Sequence, residues 1–349
     1  MAELSYKDQQ DLKNIEKIRE HLRILPRFCG EYFRSLEIRK STNTRKNYAY
    51  DLGVFFYFLK TNNPYFKDKD IHTLPIEVLD MITAMDVEEY LSYLESYTKD
   101  GKLYTNREEG KARKLSSLKS FYDYYFKKNL IRTNPPRQVD VPKIKNKNII
   151  RLDVDEVAKL LDEVEEGDKL TEKQKLYHER TKVRDLAMMS LLLGTGIRVS
   201  ECVGLNINDI DLDTCGARVY RKGGKESVIY FSDEVRDVLE DYLDEREMID
   251  AVPGNEDALF LSMQRKRINV RSVENLVKKY AKLVTPLKKI TPHKLRSTYG
   301  TSLYRETGDI YLVASVLGHN DVNTTRKHYA AQEEERRRSA RNVVRLRES

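Results

Sequence analysis

Residues 134–149 read NPPRQVDVPKIKNKNI, and this stretch limits the possible folds more than any other in the chain. Pro135, Pro136 and Pro142 lack backbone donors and push their neighbours toward extended conformations, and no apolar periodicity runs through the segment. A regular element does not continue across it, so the residues on either side must bury separate cores. A length of 349 residues suits that division, because one domain commonly takes roughly 100–200 residues. The expected layout is a helical domain over 1–140, a linker over 141–150 and a second domain over 151–349 that ends in a tail, 331–349. Arg137, Lys143, Lys145 and Lys147 make the tether basic, which fits two globular parts closing around a rod-shaped anion.

Charge placement points the same way. The chain carries 63 Lys+Arg against 56 Asp+Glu, and residues 1–150 hold 28 basic and 21 acidic side chains while the rest hold 35 of each. The whole excess of +7 therefore lies in the first part, as a phosphate-backbone partner would select. Three cysteines, Cys29, Cys202 and Cys215, form no C-x-x-C and indicate neither a disulfide framework nor a zinc site. No apolar run approaches the ~20 residues needed to cross a bilayer, and no signal-like segment follows Met1. A soluble, cytoplasmic, nucleoid-associated protein is expected, with no metal and no cofactor.

Helical periodicity marks residues 6–25, 42–61, 85–97 and 108–129. In the second of these Tyr48, Leu52, Phe55, Phe56 and Leu59 share a stripe behind a Ser41 or Thr42 cap, and in the fourth Leu115, Leu118, Tyr122 and Tyr125 do. Lys111, Arg113, Lys114 and Lys119 are placed opposite the fourth stripe, and Thr44, Arg45 and Lys46 open the second helix. Together with Ser117 they are expected to face DNA, with cationic stems and hydroxyls reaching phosphates. For any single Lys taken alone, a solvated helix face is the better reading.

The second domain opens with an amphipathic helix at 152–164, then a buried helix at 184–193 broken by Gly194 and Gly196. Arg198 follows the break between apolar segments, where a guanidinium needs either an anion or a nearby carboxylate such as Glu201. Residues 217–231 read as a β-hairpin around Gly223-Gly224 with Lys222 and Lys225 at its tip. Helices at 232–248 and 270–283 flank a basic loop with Arg265 and Arg267, and Arg271 opens the second of them. Thr291-Pro292 starts a helix that carries His293 and Arg296 on one face. A short apolar helix at 312–317 ends at Gly318 and projects His319, and Tyr329 follows ten residues later. Six arginines and a thin apolar stripe make the tail suited to docking on another surface.

Set in order, GTGIRVSE around Arg198, RKGGKE around Lys222, TPHKLRS around His293 and Arg296, LGH ending at His319 and TTRKHYA around Tyr329 resemble the tyrosine recombinase (phage integrase) family. Within it the chain is most similar to the Xer branch, in particular the longer XerS type, although His319 and Tyr329 stand one residue further apart than is usual there and Ser297 replaces a common His. The resemblance implies a mostly α fold with a small β-sheet in the catalytic domain, behind an N-terminal helical (SAM-like) core-binding domain. It further implies an enzyme that cuts and rejoins double-stranded DNA at a specific site, working as a homotetramer on two sites through its C-terminal tail. Arg198, Lys222, His293, Arg296 and His319 become the catalytic set and Tyr329 the nucleophile. A type IB topoisomerase shares this chemistry without the site choice, and a non-catalytic DNA-binding protein would lack one of the roles.

Overall fold

The structure is a computed structural model that describes residues 5–144, 150–221 and 225–318. It divides into two compact units, Met1–Lys147 and Asn148–Ser349. The first contains α1 (Tyr6–Leu22), α2 (Cys29–Leu36), α3 (Thr42–Asn62), α4 (Ala84–Tyr93), β1 (Ser96–Lys99), β2 (Lys102–Thr105), α5 (Glu108–Lys127) and α6 (Pro135–Gln138). The second contains α7 (Val154–Glu166), α8 (Glu172–His178), α9 (Lys182–Thr195), α10 (Val199–Cys202), β3 (Ile210–Asp211), β4 (Gly216–Tyr220), β5 (Glu226–Tyr230), α11 (Asp233–Glu247), α12 (Val270–Val284), α13 (Pro292–Thr307) and α14 (Ile310–Leu317). The mostly helical fold with a small antiparallel sheet in the second unit is the one the sequence leads to.

In the first unit α3 is the central element, packed against α1 and α5. Ser41 caps it by accepting the Thr44 N–H, and its second half, including Leu52, Val54, Phe55, Phe56, Phe58 and Leu59, is buried nearly all round. Phe28, Tyr32, Phe56, Phe121 and Tyr125 meet in edge-on and stacked pairs that fill the space between α2, α3 and α5. Two expectations are corrected here. The helix expected over 85–97 stops at Tyr93, and a hairpin follows because Asp100 and Gly101 take positive φ, 50° and 71°, in a two-residue turn that aligns Tyr97 with Tyr104. The Pro-rich stretch is not extended throughout: Pro135 and Pro136 start the one-turn α6 and are buried.

In the second unit α9 is buried on every side from Ala187 to Leu193, held between α7, α11 and α13. The sheet order is β3-β4-β5, with Ala217 and Val219 turned to the core and Arg218 and Tyr220 turned outward. No described helix is long and apolar enough to cross a membrane.

The first unit also buries a charge. Asp51, 2% exposed, accepts from Arg113 and Ser117 on α5 through Oδ2, while Oδ1 has no hydrogen-bond partner and the neighbouring Tyr90 hydroxyl is likewise buried without one. Burial pushes the Asp51 carboxyl above its ordinary value of 3.8, more than Arg113 and Ser117 pull it down. A carboxyl raised in the folded state takes up its proton there first, so its contribution to stability is full below the unfolded value and falls as pH rises through the folded one. Thermal denaturation of wild type and Asp51→Asn between about pH 7 and pH 4 should therefore show wild type gaining relative to the variant as pH falls, and a constant difference would contradict it.

Candidate active site and DNA-contacting residues

Gly196 turns the chain out of α9 with φ +61°, and Ile197 tucks into the core so that Arg198 starts α10. Arg198 is bonded to Glu201 twice, from its backbone N–H to Oε2 at 3.0 Å and from Nη1 to Oε1 at 2.8 Å. Its Nη2 donates to the carbonyl of Gly318 at 3.0 Å. Of the two partners expected for Arg198, the carboxylate of Glu201 is the one present, and its contact leaves the guanidinium at the end of α14 with the side chain 36% exposed.

Arg296 reaches the same place from α13. Pro292 begins that helix, and the arginine one turn later is 6% exposed with Nη1 on the carbonyl of Gly196 and Nη2 on that of Leu317. A third guanidinium, from Arg221 at the end of β4, donates to the carbonyls of Ser315 at 3.2 Å and Val316 at 2.8 Å. Burial lowers its pKa from the ordinary arginine range, Glu201 opposes that shift, and Arg198 adds to it as a like charge. The last carbonyls of a helix lack donors of their own and sit at its negative end, so three cations from three elements gather there. Glu201 forms an ion pair with Arg198, one of the three. Paired guanidinium forks of this kind are suited to bidentate bonds with phosphate oxygens.

His293 sits in the first turn of α13, one turn before Arg296, and is exposed. Lys222, His319 and Tyr329 lie outside the described residues. Of the residues expected to be catalytic, the structure thus brings Arg198 and Arg296 together at the end of α14 and places His293 on the same helix as Arg296. Arg221 was missed by sequence reasoning, which took the hairpin tip for its Lys alone; its position next to Lys222 was the available signal.

The outward basic face expected on α5 is corrected at three positions. Lys111, Lys114 and Ser117 are buried, at 6%, 4% and 0% exposure, because steps of three and four extend the Leu115–Leu118–Tyr122 stripe back through Lys114 and Lys111. Lys111 donates to Glu95, Lys114 donates to the side-chain Oδ1 of Asn106, and Ser117 donates to Asp51. Arg113 stays 44% exposed while bonded to Asp51, and Lys119 donates to the carbonyl of Val139. On α3, Arg45 pairs with Glu37 and its side chain is 12% exposed, Lys46 donates to Asn14, and Thr44 hydrogen-bonds Ser41 at the helix start. In the second unit Arg265 and Arg271 are exposed, the latter beside Glu274, whereas Arg267 reaches inward to the carbonyls of Val203 and Leu205 and to Asn206. Among the described residues no group of His, Cys, Asp and Glu is arranged to hold a metal ion.

The family model that matches this chain, over residues 150–336, is described as the phage integrase family. The chain belongs to the phage integrase family. Tyrosine recombinase XerC of Caldanaerobacter subterraneus subsp. tengcongensis is 36% identical over 309 residues, covering 86% of this chain and 81% of that one. Tyrosine recombinase XerS of Lactococcus lactis subsp. cremoris is 31% identical over 346 residues, covering 91% of this chain and 95% of the relative. Among solved structures, the Tn1549 transposon integrase in complex with transposon right end DNA aligns with a TM-score of 0.60 at 21% identity, over 90% of this chain and 99% of that one. The family places this chain among enzymes, the tyrosine-type recombinases and integrases.

Gly196 joins the parts of the site, since its carbonyl holds Arg296 and its left-handed turn sets Arg198. A Cβ there would lie 2.6 Å from Tyr299 Cδ1 and 2.9 Å from Leu317 Cδ2. Gly196→Ala should cost at least about 1–2 kcal/mol in denaturant unfolding from the left-handed conformation alone, and should slow DNA cleavage at temperatures where the variant is still folded. Wild-type cleavage by a folded variant would contradict this placement.

Proposed function

We propose that the chain is a site-specific DNA recombinase that cuts and rejoins strands through a 3′-phosphotyrosyl link. The observation that carries the reading is the convergence of Arg198 and Arg296 on one point at the end of α14. Two planar guanidinium forks there suit the nonbridging oxygens of one phosphodiester and the charge that grows on them at the pentacoordinate transition state. A phenol with a pKa near 10 attacks poorly at neutral pH, so the nucleophile needs that positive charge and a base. Tyr329 is assigned as nucleophile from its order in the motif set, and its oxygen forms the bond to phosphorus as the bond to the 5′ oxygen breaks. His293, exposed beside Arg296, receives the phenol proton; His319 donates to the phosphate; Lys222 protonates the departing 5′ oxygen. One phosphate ester replaces another, so the bond energy is kept until a second strand's 5′ hydroxyl attacks, and neither metal nor nucleotide takes part.

The partner is double-stranded DNA bearing a recombination site. Exposed Arg113, Arg265 and Arg271 are the best placed of the described candidates for contacts to its backbone. Four subunits act on two sites, with the tail 331–349 of one docking on the next. The similarity to XerC and XerS proteins along most of the chain supports Xer-like chromosome-dimer resolution, with integration or excision of a mobile element as the other use of the same chemistry. Such a protein works in the cytoplasm, at the nucleoid.

Tyr329→Phe should bind target DNA as wild type does and form no covalent adduct on a nicked suicide duplex, and Arg198→Ala should form adduct about 10²–10³-fold more slowly with affinity little changed. An adduct that persists in the phenylalanine variant would sink the assignment.

A further inference from the structure

The end of β4 is fastened to the end of α14 through one side chain. Arg221 sets its guanidinium against Gly318: a Cβ added there would fall 1.9 Å from Nη1 and 2.6 Å from Cζ. Gly318 is left-handed with φ +59°, and its lack of a side chain is what admits the guanidinium. Nη1 and Nη2 hold the carbonyls of Ser315 and Val316, while Nε is buried without a hydrogen-bond partner among the described residues. A buried donor left unpaired works against stability, so stability alone does not account for this clasp. The two chain positions it joins are informative. Lys222 directly follows Arg221 in the sequence, and His319 directly follows Gly318. The clasp therefore fixes the backbone from which the proposed acid departs against the backbone from which a proposed phosphate donor departs, beside Arg198 and Arg296.

We propose that Arg221 is a positioning residue for strand cleavage, which acts by anchoring the strand that delivers Lys222 to the carbonyl end of α14. The proposal rests on the recombinase reading above and on Lys222 as the group that protonates the departing 5′ oxygen. Arg221 itself does not transfer a proton. Loss of the clasp costs the reaction its proton donor while the phosphate-binding pair of arginines stays in place.

A leaving group that needs no proton tests this. Sulfur in place of the bridging 5′ oxygen at the scissile phosphate leaves as a thiolate, because thiols ionise far more readily than alcohols. Full-length wild type, Arg221→Ala, Arg221→Lys and Lys222→Ala are compared on suicide duplexes carrying either oxygen or sulfur at that position, with DNA affinity and thermal unfolding measured in parallel. On the oxygen duplex Arg221→Ala should cleave about 10²-fold more slowly than wild type at nearly unchanged affinity, and on the sulfur duplex the deficit should shrink to within about threefold. Arg221→Lys keeps the charge without spanning two carbonyls and should show a smaller deficit with the same recovery, which serves if the alanine variant is unstable. Recovery of Lys222→Ala but not of the Arg221 variants on sulfur overturns the proposal and leaves the acid in place, as does oxygen-duplex cleavage at the wild-type rate by both Arg221 variants. Failure of Lys222→Ala to recover overturns the acid assignment and the proposal with it.

Discussion

The carbonyls that close α14 are the acceptors on which the second unit's arginines converge. Ser315, Val316, Leu317 and Gly318 take donors from Arg221, Arg296 and Arg198, which come from a strand end, the middle of a helix wall and the start of a one-turn helix. A helix terminus is a weak, partial negative charge. It orients cations without neutralising them, and that distinguishes it from a ring of carboxylates, which would hold the same arginines and leave nothing for a substrate. Glu201 fixes Arg198 through two bonds and stops there. Under the proposed function, positive charge held in place beforehand would cost little to arrange for a phosphate, which is the condition for stabilising a transition state rather than a bound substrate.

α9 and α13 are the elements that set the residues meeting that helix end. α9 is buried all round because it must carry Gly196 to a fixed point, and α13 packs on it so that Arg296 reaches both the Gly196 and Leu317 carbonyls. Tyr299 and Leu317 pack around the turn, which leaves no space for a side chain at residue 196. The first unit uses a different device: aromatic rings fill its core, and buried polar groups on α5 tie back to Asp51, Glu95 and Asn106. Its lysines are in part structural, so a count of positive charge overstates the surface it offers to DNA.

Much of this was legible in the sequence because it lives in local patterns. The Gly-Thr-Gly break after an apolar run placed Arg198 beside a helix end, the Pro292 start and three-residue spacing put His293 and Arg296 on one helix, and Gly318 marked the stop of α14. The α5 basic face was misread because Lys stems fit a core stripe when a polar partner waits at the end, and such partners, Glu95 and Asn106, sit on the preceding hairpin that was itself overlooked. Asp100-Gly101 carried the hairpin signal, but the helical periodicity upstream masked it. Arg221 had one sequence signal, its adjacency to Lys222, which does not report the contact that matters. Its role depends on a contact with residues nearly a hundred positions away, and no periodicity reports that.

In the proposed reaction one phosphate is held where Arg198 and Arg296 meet, with Tyr329 attached to it. A crystal structure of the protein trapped on a nicked suicide duplex tests that most directly. The account predicts both guanidiniums within hydrogen-bonding distance, about 3 Å, of nonbridging oxygens on the one 3′ phosphate that is esterified to Tyr329. A linked phosphate held by other side chains, with either arginine bonded to backbone carbonyls alone, would contradict it.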